Sequence, residues 1–187
     1  MKFQIYLSGS VQKHFGLAAK DVPHNSDVEP EGDWWARWRF EFVLSAGGGS
    51  QHVFLATNEE SYYSFVLLLD DGKGIGGLVS RFLDHWFDAL SRRGVAVDEK
   101  LIHETLFLRG QQRKLIGVMK EMVSLVGECA INGEGVEKMH LVIRNIYKTK
   151  GDGYILPHDE FKRLLAAEPP PQMSDGGASN VVPFPST

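Results

Sequence analysis

The stretch from Trp34 to Leu44 constrains the fold more than any other part of the chain. Trp34, Ala36, Trp38, Phe40, Phe42 and Leu44 alternate with Trp35, Arg37, Arg39, Glu41 and Val43. Successive side chains of an extended chain point to opposite faces, whereas a helix would scatter this pattern around its axis. The segment therefore reads as a strand with one buried aromatic face and one wetter face. The glycines of 46–50 make a flexible turn and Gln51 to Thr57 a second strand, so the pair reads as a hairpin. Tyr63 to Leu69 is apolar on both faces and is expected at the centre of the sheet. Lys2 to Leu7 alternates as a short strand, and His103 to Arg109 supplies the last one.

Helical spacing appears between and after these strands. Leu78, Val79, Phe82, Leu83, Trp86, Phe87 and Leu90 recur three and four residues apart, and Arg92-Arg93-Gly94 is a suitable helix end. A second long helix is predicted from about Arg113 to Val126, burying Leu115, Ile116, Met119, Met122, Val123 and Val126. Shorter helices are predicted after Ser8, after Gly135 and from Pro157. Residues 21–32 and 149–154 read as loops, and Asp98 as the cap of a short turn. The expected fold is α+β: a mostly antiparallel sheet of four or five strands packed against two long amphipathic helices. Residues 1–167 form a single domain in this reading. Residues 168–187, rich in Pro, Gly and Ser, form a tail expected to be disordered.

Composition narrows the function classes. With 24 acidic and 20 basic residues the net charge is -4, which argues against a general nucleic-acid binder. No apolar run approaches the ~18 residues of a membrane helix, and the first residues are too polar for a signal peptide, so a cytoplasmic protein without a membrane partner is expected. The single cysteine, Cys129, excludes an intramolecular disulfide and reads as a buried small hydrophobe.

Local motifs add little chemistry. Asp70-Asp71-Gly72-Lys73-Gly74-Ile75 matches the adenine-contacting box of histidine-kinase-like ATPases. The upstream helix that such a fold needs is missing, so the segment reads as a strand-to-helix loop. Seven histidines include no His-x-x-x-His pair, and Asp84, His85 and Asp88 read as a solvated helix edge; neither metal nor cofactor is expected. Trp34 and Trp38 read as core, while Trp35, Arg37 and Arg39 on the other face either pair with Glu41 and neighbouring acids or meet a partner. The break before the second long helix is the most chemically interesting place. There Gln111, Gln112, Arg113 and Lys114 surround a helix N-terminus whose free N–H groups could hold an anion. Asn58 and Ser61, in the turn between two strands, either fix that turn through side-chain-to-backbone bonds or approach Arg113 and complete that site. The candidate binding residues are thus Asn58, Ser61, Arg113, Gln112 and Arg37.

Four stretches carry a resemblance. Gly32-Asp33-Trp34-Trp35-Ala36-Arg37 is similar to a Gly-Asp-Trp-His-Ala-Asn strand start, and Asn58-Glu59-Glu60-Ser61-Tyr62-Tyr63-Ser64 to an Asn-Asp-x-Thr-x-Tyr-Ser turn. Arg113 to Met119 resembles an Arg-Ser-Val-Leu-Gly-Ser-Met helix opening, and Tyr154 to Glu160 a closing Tyr-x-x-Pro-x-Glu segment. In order and spacing the set resembles the uncharacterised bacterial family catalogued as domain of unknown function six-nine-three-three. The resemblance covers about residues 1–166 and implies one domain, with no activity to transfer. Trp35, Arg37 and Lys114 stand where that family has His, Asn and Ser. The leading expectation is a non-enzymatic binding or regulatory module with a protein or small anionic partner. The alternative is a small enzyme acting on a phosphorylated or nucleotide-like substrate.

Overall fold

The alternating N-terminal residues make β1 (Lys2–Leu7), and the sheet is built around it. The computed structural model describes residues 2–24, 26, 33–97, 104–110, 113–146, 148–150 and 153–170; of residues 113, 114, 149 and 150 it describes the backbone alone. After β1 come α1 (Gly9–His14), β2 (Arg37–Ala46), β3 (Gln51–Asn58), β4 (Ser64–Asp70), α2 (Ile75–Ser91) and β5 (Glu104–Leu108). Then follow α3 (Arg113–Ile131), α4 (Val136–Arg144), the small hairpin β6 (Lys148–Lys150) and β7 (Gly153–Ile155), and α5 (Pro157–Ala167). The fold is α+β.

The main sheet has the order β4-β3-β2-β1-β5. β2, β3 and β4 form an antiparallel meander, whereas β1 pairs in parallel with both β2 and β5. The sheet is therefore mixed, not mostly antiparallel as the alternation suggested. Side-chain period is the same in both kinds of strand, so it cannot report direction. The parallel pairings arise because long crossovers through α1 and α2 return the chain beside β1.

Helices cover both faces. On one, Phe3, Ile5, Trp38, Phe40, Phe54 and Phe65 pack under α1, α2 and α5. On the other, Val53, Leu55 and Val66 pack under Leu115, Met119, Met122 and Val126 of α3 and Met139 and Ile143 of α4. This double cover explains a second correction. β4 is apolar on both sides, but it is an edge strand, not a central one. Its exposed edge is guarded by α4: the Val66 N–H donates to His140 Nε2 at 2.9 Å.

That contact requires an unprotonated ring nitrogen. Burial, then the charges of His85 and Arg144, push the His140 pKa down from 6.5 to about 4. An unfolded chain takes up this proton near pH 6.5, the folded chain only near 4. The resulting stability is complete above pH 6.5 and is lost as pH falls toward 4, by about 3 kcal/mol at most. His140→Gln keeps an acceptor for Val66 without a titrating group. Urea unfolding between pH 6.5 and 4 should therefore show a slope shallower than the parent's; parallel curves would refute the assignment.

Three local readings also change. Trp34–Ala36 is a 3-10 turn, and β2 starts only at Arg37. Trp35 therefore leaves the wetter face and is buried, 6.0 Å from Phe3 and 5.9 Å from Trp86 between ring centroids. A bulge between Phe42 and Leu44 turns Val43 and Leu44 toward the α3 side. The loop expected at 149–154 contains the β6–β7 hairpin. At the other end, the Trp34 indole donates to the Glu168 carbonyl at 3.1 Å and Pro170 is buried, so packing continues past residue 167. The remainder of the expected tail, and the turn expected at Asp98, lie outside the described residues. No helix among the described residues is long and apolar enough to cross a membrane.

Candidate functional site

The face of the sheet that β3 and β4 fill with aliphatic side chains becomes polar across β1 and β2. In register, Gln4 lies beside Arg37 and Tyr6 beside Arg39. Gln4 is 0% exposed, and neither end of its amide has a hydrogen-bond partner. Arg37 Nη1 lies 3.6 Å from Glu59 Oε2, and Arg39 Nη2 lies 3.7 Å from Glu41 Oε2. Burial pushes the Tyr6 phenol up; the nearby Glu59 adds to this and Arg37 opposes it. Burial also pushes Arg39 down against the opposing pull of Glu41, but a guanidinium stays charged at any physiological pH.

This arrangement is costly unless it serves binding. A buried polar group without a partner costs about 1–3 kcal/mol, and a buried cation needs more than one good contact. Arg39 is 4% exposed; its Nη1 donates to the Gly110 carbonyl at 3.3 Å, and its Nε has no partner.

Arg39 also lines a crevice of about 430 Å³ together with Ser8, Gln12, His24, Arg109 and Ile116. The crevice lies beyond the carboxyl ends of β1 and β5. These neighbours are parallel, but β1 leads into α1 on the aromatic face and β5 into α3 on the opposite face. Chains that diverge in this way leave a gap, and ligands of open α/β sheets bind in such gaps. Arg109 is held at the rim: its Nε donates to the Val22 carbonyl at 2.9 Å and its own N–H to Pro23 at 2.9 Å. Among the described residues Arg109 makes no ion pair, and no carboxylate lines the crevice.

The residues predicted from sequence fall in different places. Arg37 sits in the polar strip, paired with Glu59. Asn58 and Ser61 are both 0% exposed and bonded to one another, Ser61 Oγ donating to Asn58 Oδ1 at 2.8 Å. In this structure they lock a turn and present no surface. Arg113 opens α3, next to the crevice wall formed by Gly110 and Ile116. Its side chain, the whole of Gln112, and so the expected approach of Asn58 to Arg113, lie outside the described residues. Arg39 belongs to the strand face that the sequence offers to a partner; Gln4, Tyr6 and Arg109 are not among the residues expected from sequence. The usable signal was a Gln and a Tyr on one face of β1 and an Arg directly after β5.

Among the described residues no group of three His, Cys, Asp or Glu side chains is placed to hold a metal ion. No protein-family model matches the chain, and no curated protein matches it.

Proposed function

We propose that the protein is a cytoplasmic, non-enzymatic binding module whose crevice beyond β1 and β5 takes a small anionic ligand. The observation that carries this reading is the pair of guanidinium groups at the crevice: Arg39 is buried with only Glu41, 3.7 Å away, against its charge, and Arg109 beside it makes no ion pair among the described residues. A carboxylate or phosphate placed between two guanidinium groups gains charge-assisted hydrogen bonds, which are about twice as strong as neutral ones. Membership of the uncharacterised bacterial family it resembles is part of the same proposal, supported by four motifs in the family's order.

The test is a titration with inorganic phosphate and with citrate, followed through backbone amide NMR signals. Signals of residues 8–12, 108–110 and 116 should move together, and Arg109→Gln should weaken the response about tenfold. Signals that stay still, or an undiminished response in the variant, would overturn the site. Chemical turnover of a phosphorylated compound by the parent protein would overturn its non-enzymatic character.

A further inference from the structure

We infer that a second ligand site lies in the cleft along the free edge of β4 and takes a small phosphorylated molecule. The cleft measures about 610 Å³, within the range of small-molecule sites. Its floor is Tyr63 to Phe65. One wall comes from the C-terminal half of α2 and from α5, the other from α4. It lies on the opposite edge of the sheet from the crevice beside β5, and this inference does not rest on that site.

The charge distribution is the first argument. Arg92, Arg93, Arg144 and Lys162 line the cleft against Asp88 and Glu137. Asp88 is already paired with Arg92 at 2.9 Å. Among the described residues Arg93, Arg144 and Lys162 make no ion pair with any carboxylate. These three cations come from three different segments, the turn after α2, α4 and α5, and converge on His158, whose ring feels the charges of all of them. Like charges gathered at one point in a partly buried cleft repel. The chain as a whole is net negative at -4, so this local excess is not a consequence of composition. A bound dianion would remove the repulsion.

The second argument is preorganisation. Arg93 is not a loose surface side chain. Its guanidinium carbon lies 5.2 Å from the ring centroids of both Tyr63 and Phe161. Its Nη1 donates to the Ala89 carbonyl and its Nη2 lies 3.0 Å from His158 Nδ1, while its buried Nε has no partner. A planar cation already fixed by stacking loses little freedom when it binds an anion.

The histidines supply the third. His158 Nδ1 accepts from Arg93 and His140 Nε2 accepts from Val66, so each neutral ring carries its proton on the other nitrogen. His85 stands beside them, its ring centroid 5.8 Å from that of His140. Neutral N–H donors beside arginines suit phosphate oxygens. A phosphate offers three acceptor oxygens and close to two charges, enough to meet several separated cations, where a carboxylate offers two oxygens and one charge. Four cations against two carboxylates also make the cleft a poor place for a metal ion.

Binding should therefore be linked to protonation. The groups acting on His158 are Arg93 from the turn after α2, Arg144 from α4, and Lys162 and Asp159 from α5. Burial is the largest cause of its lowered pKa, followed by Arg93, Lys162 and Arg144. A dianion among these cations offsets them and raises the His158 pKa.

The experiment titrates the full chain with inorganic pyrophosphate and follows the His158 Cε1–H signal by NMR across pH. Saturation should raise the His158 pKa by about half a unit or more. Arg144→Ala and Lys162→Ala, both at exposed side chains, should each weaken pyrophosphate binding about tenfold. Arg109→Gln, in the distant crevice, should leave this titration unchanged. An unmoved His158 pKa, parent-like affinity in both cleft variants, or equal loss in Arg109→Gln would each overturn the inference. Failure of phosphate and citrate at the crevice would leave it intact.

Discussion

Trp86→Ala should cost about 3–5 kcal/mol, the usual range for a large aromatic removed from a core. Trp86 is 0% exposed on α2 and stands where helix and sheet meet. Its ring lies edge-on to Phe3 at 5.1 Å, and tilted against Trp35 at 5.9 Å. Those two residues come from β1 and from the turn before β2. Truncation would thus leave a cavity shared by three segments, which none of them can close alone. For a chain of this size the loss corresponds to a fall in Tm of roughly 10 °C. Trp86→Phe separates the contributions. The indole Nε1 is buried without a hydrogen-bond partner, so phenylalanine keeps most of the packing and removes an unsatisfied donor. It should cost less than half as much as alanine. A Trp86→Ala protein as stable as the parent in urea would show that α2 does not pack as described.

The same residue shows what could be read in advance. Phe82, Trp86 and Leu90 share one helical face, and all three are buried. Periodicity of this kind is a local property, and it located β1 to β5, α2 and α4 within a few residues. Features set by distant pairing were not legible. Nothing within β1 states that its neighbours run parallel to it, since β2 and β5 are brought there by crossovers. Nothing within β4 separates a central strand from an edge strand covered by α2 on one side and α4 on the other. Trp35 was misplaced for a different reason: a 3-10 turn has another period, and the alternation of 34–44 ran through it unbroken. The cleft beside β4 is the extreme case. Tyr63, Arg93, His140 and His158 come from four separate segments of the chain, and no spacing joins them. His85, which read as part of a solvated helix edge, is half-buried there, stacked on Phe65 at 5.8 Å.

Asn58→Ala is expected to destabilise the protein by about 3–5 kcal/mol, since it strands several buried groups at about 1–3 kcal/mol each. Asn58 Nδ2 donates to the carbonyls of Trp34 at 2.9 Å and Arg37 at 3.1 Å. Its Oδ1 accepts from the Glu60 N–H at 3.2 Å, the Ser61 N–H at 2.9 Å and the Ser61 hydroxyl at 2.8 Å. One amide therefore ties the β3–β4 turn to the start of β2. The turn needs the restraint, because Tyr62 holds φ at +59°, a left-handed conformation that side chains other than glycine seldom adopt. Arg37's carbonyl also receives the Glu59 N–H at 3.0 Å, so it keeps a partner after truncation. The Trp34 carbonyl and the Ser61 groups lose theirs. Asn58→Asp tests the donor half separately: a carboxylate cannot donate and would face two carbonyl oxygens, so it should be no better than alanine. Ser61→Ala removes one hydroxyl that bridges Asn58 Oδ1 and the Tyr63 N–H, and should cost about 1–2 kcal/mol. The order expected in urea unfolding is Asn58→Ala and Asn58→Asp well below Ser61→Ala, with the parent highest. A stable Asn58→Ala protein that had lost anion binding would invert the conclusion, making this residue part of a site and not the lock on its scaffold.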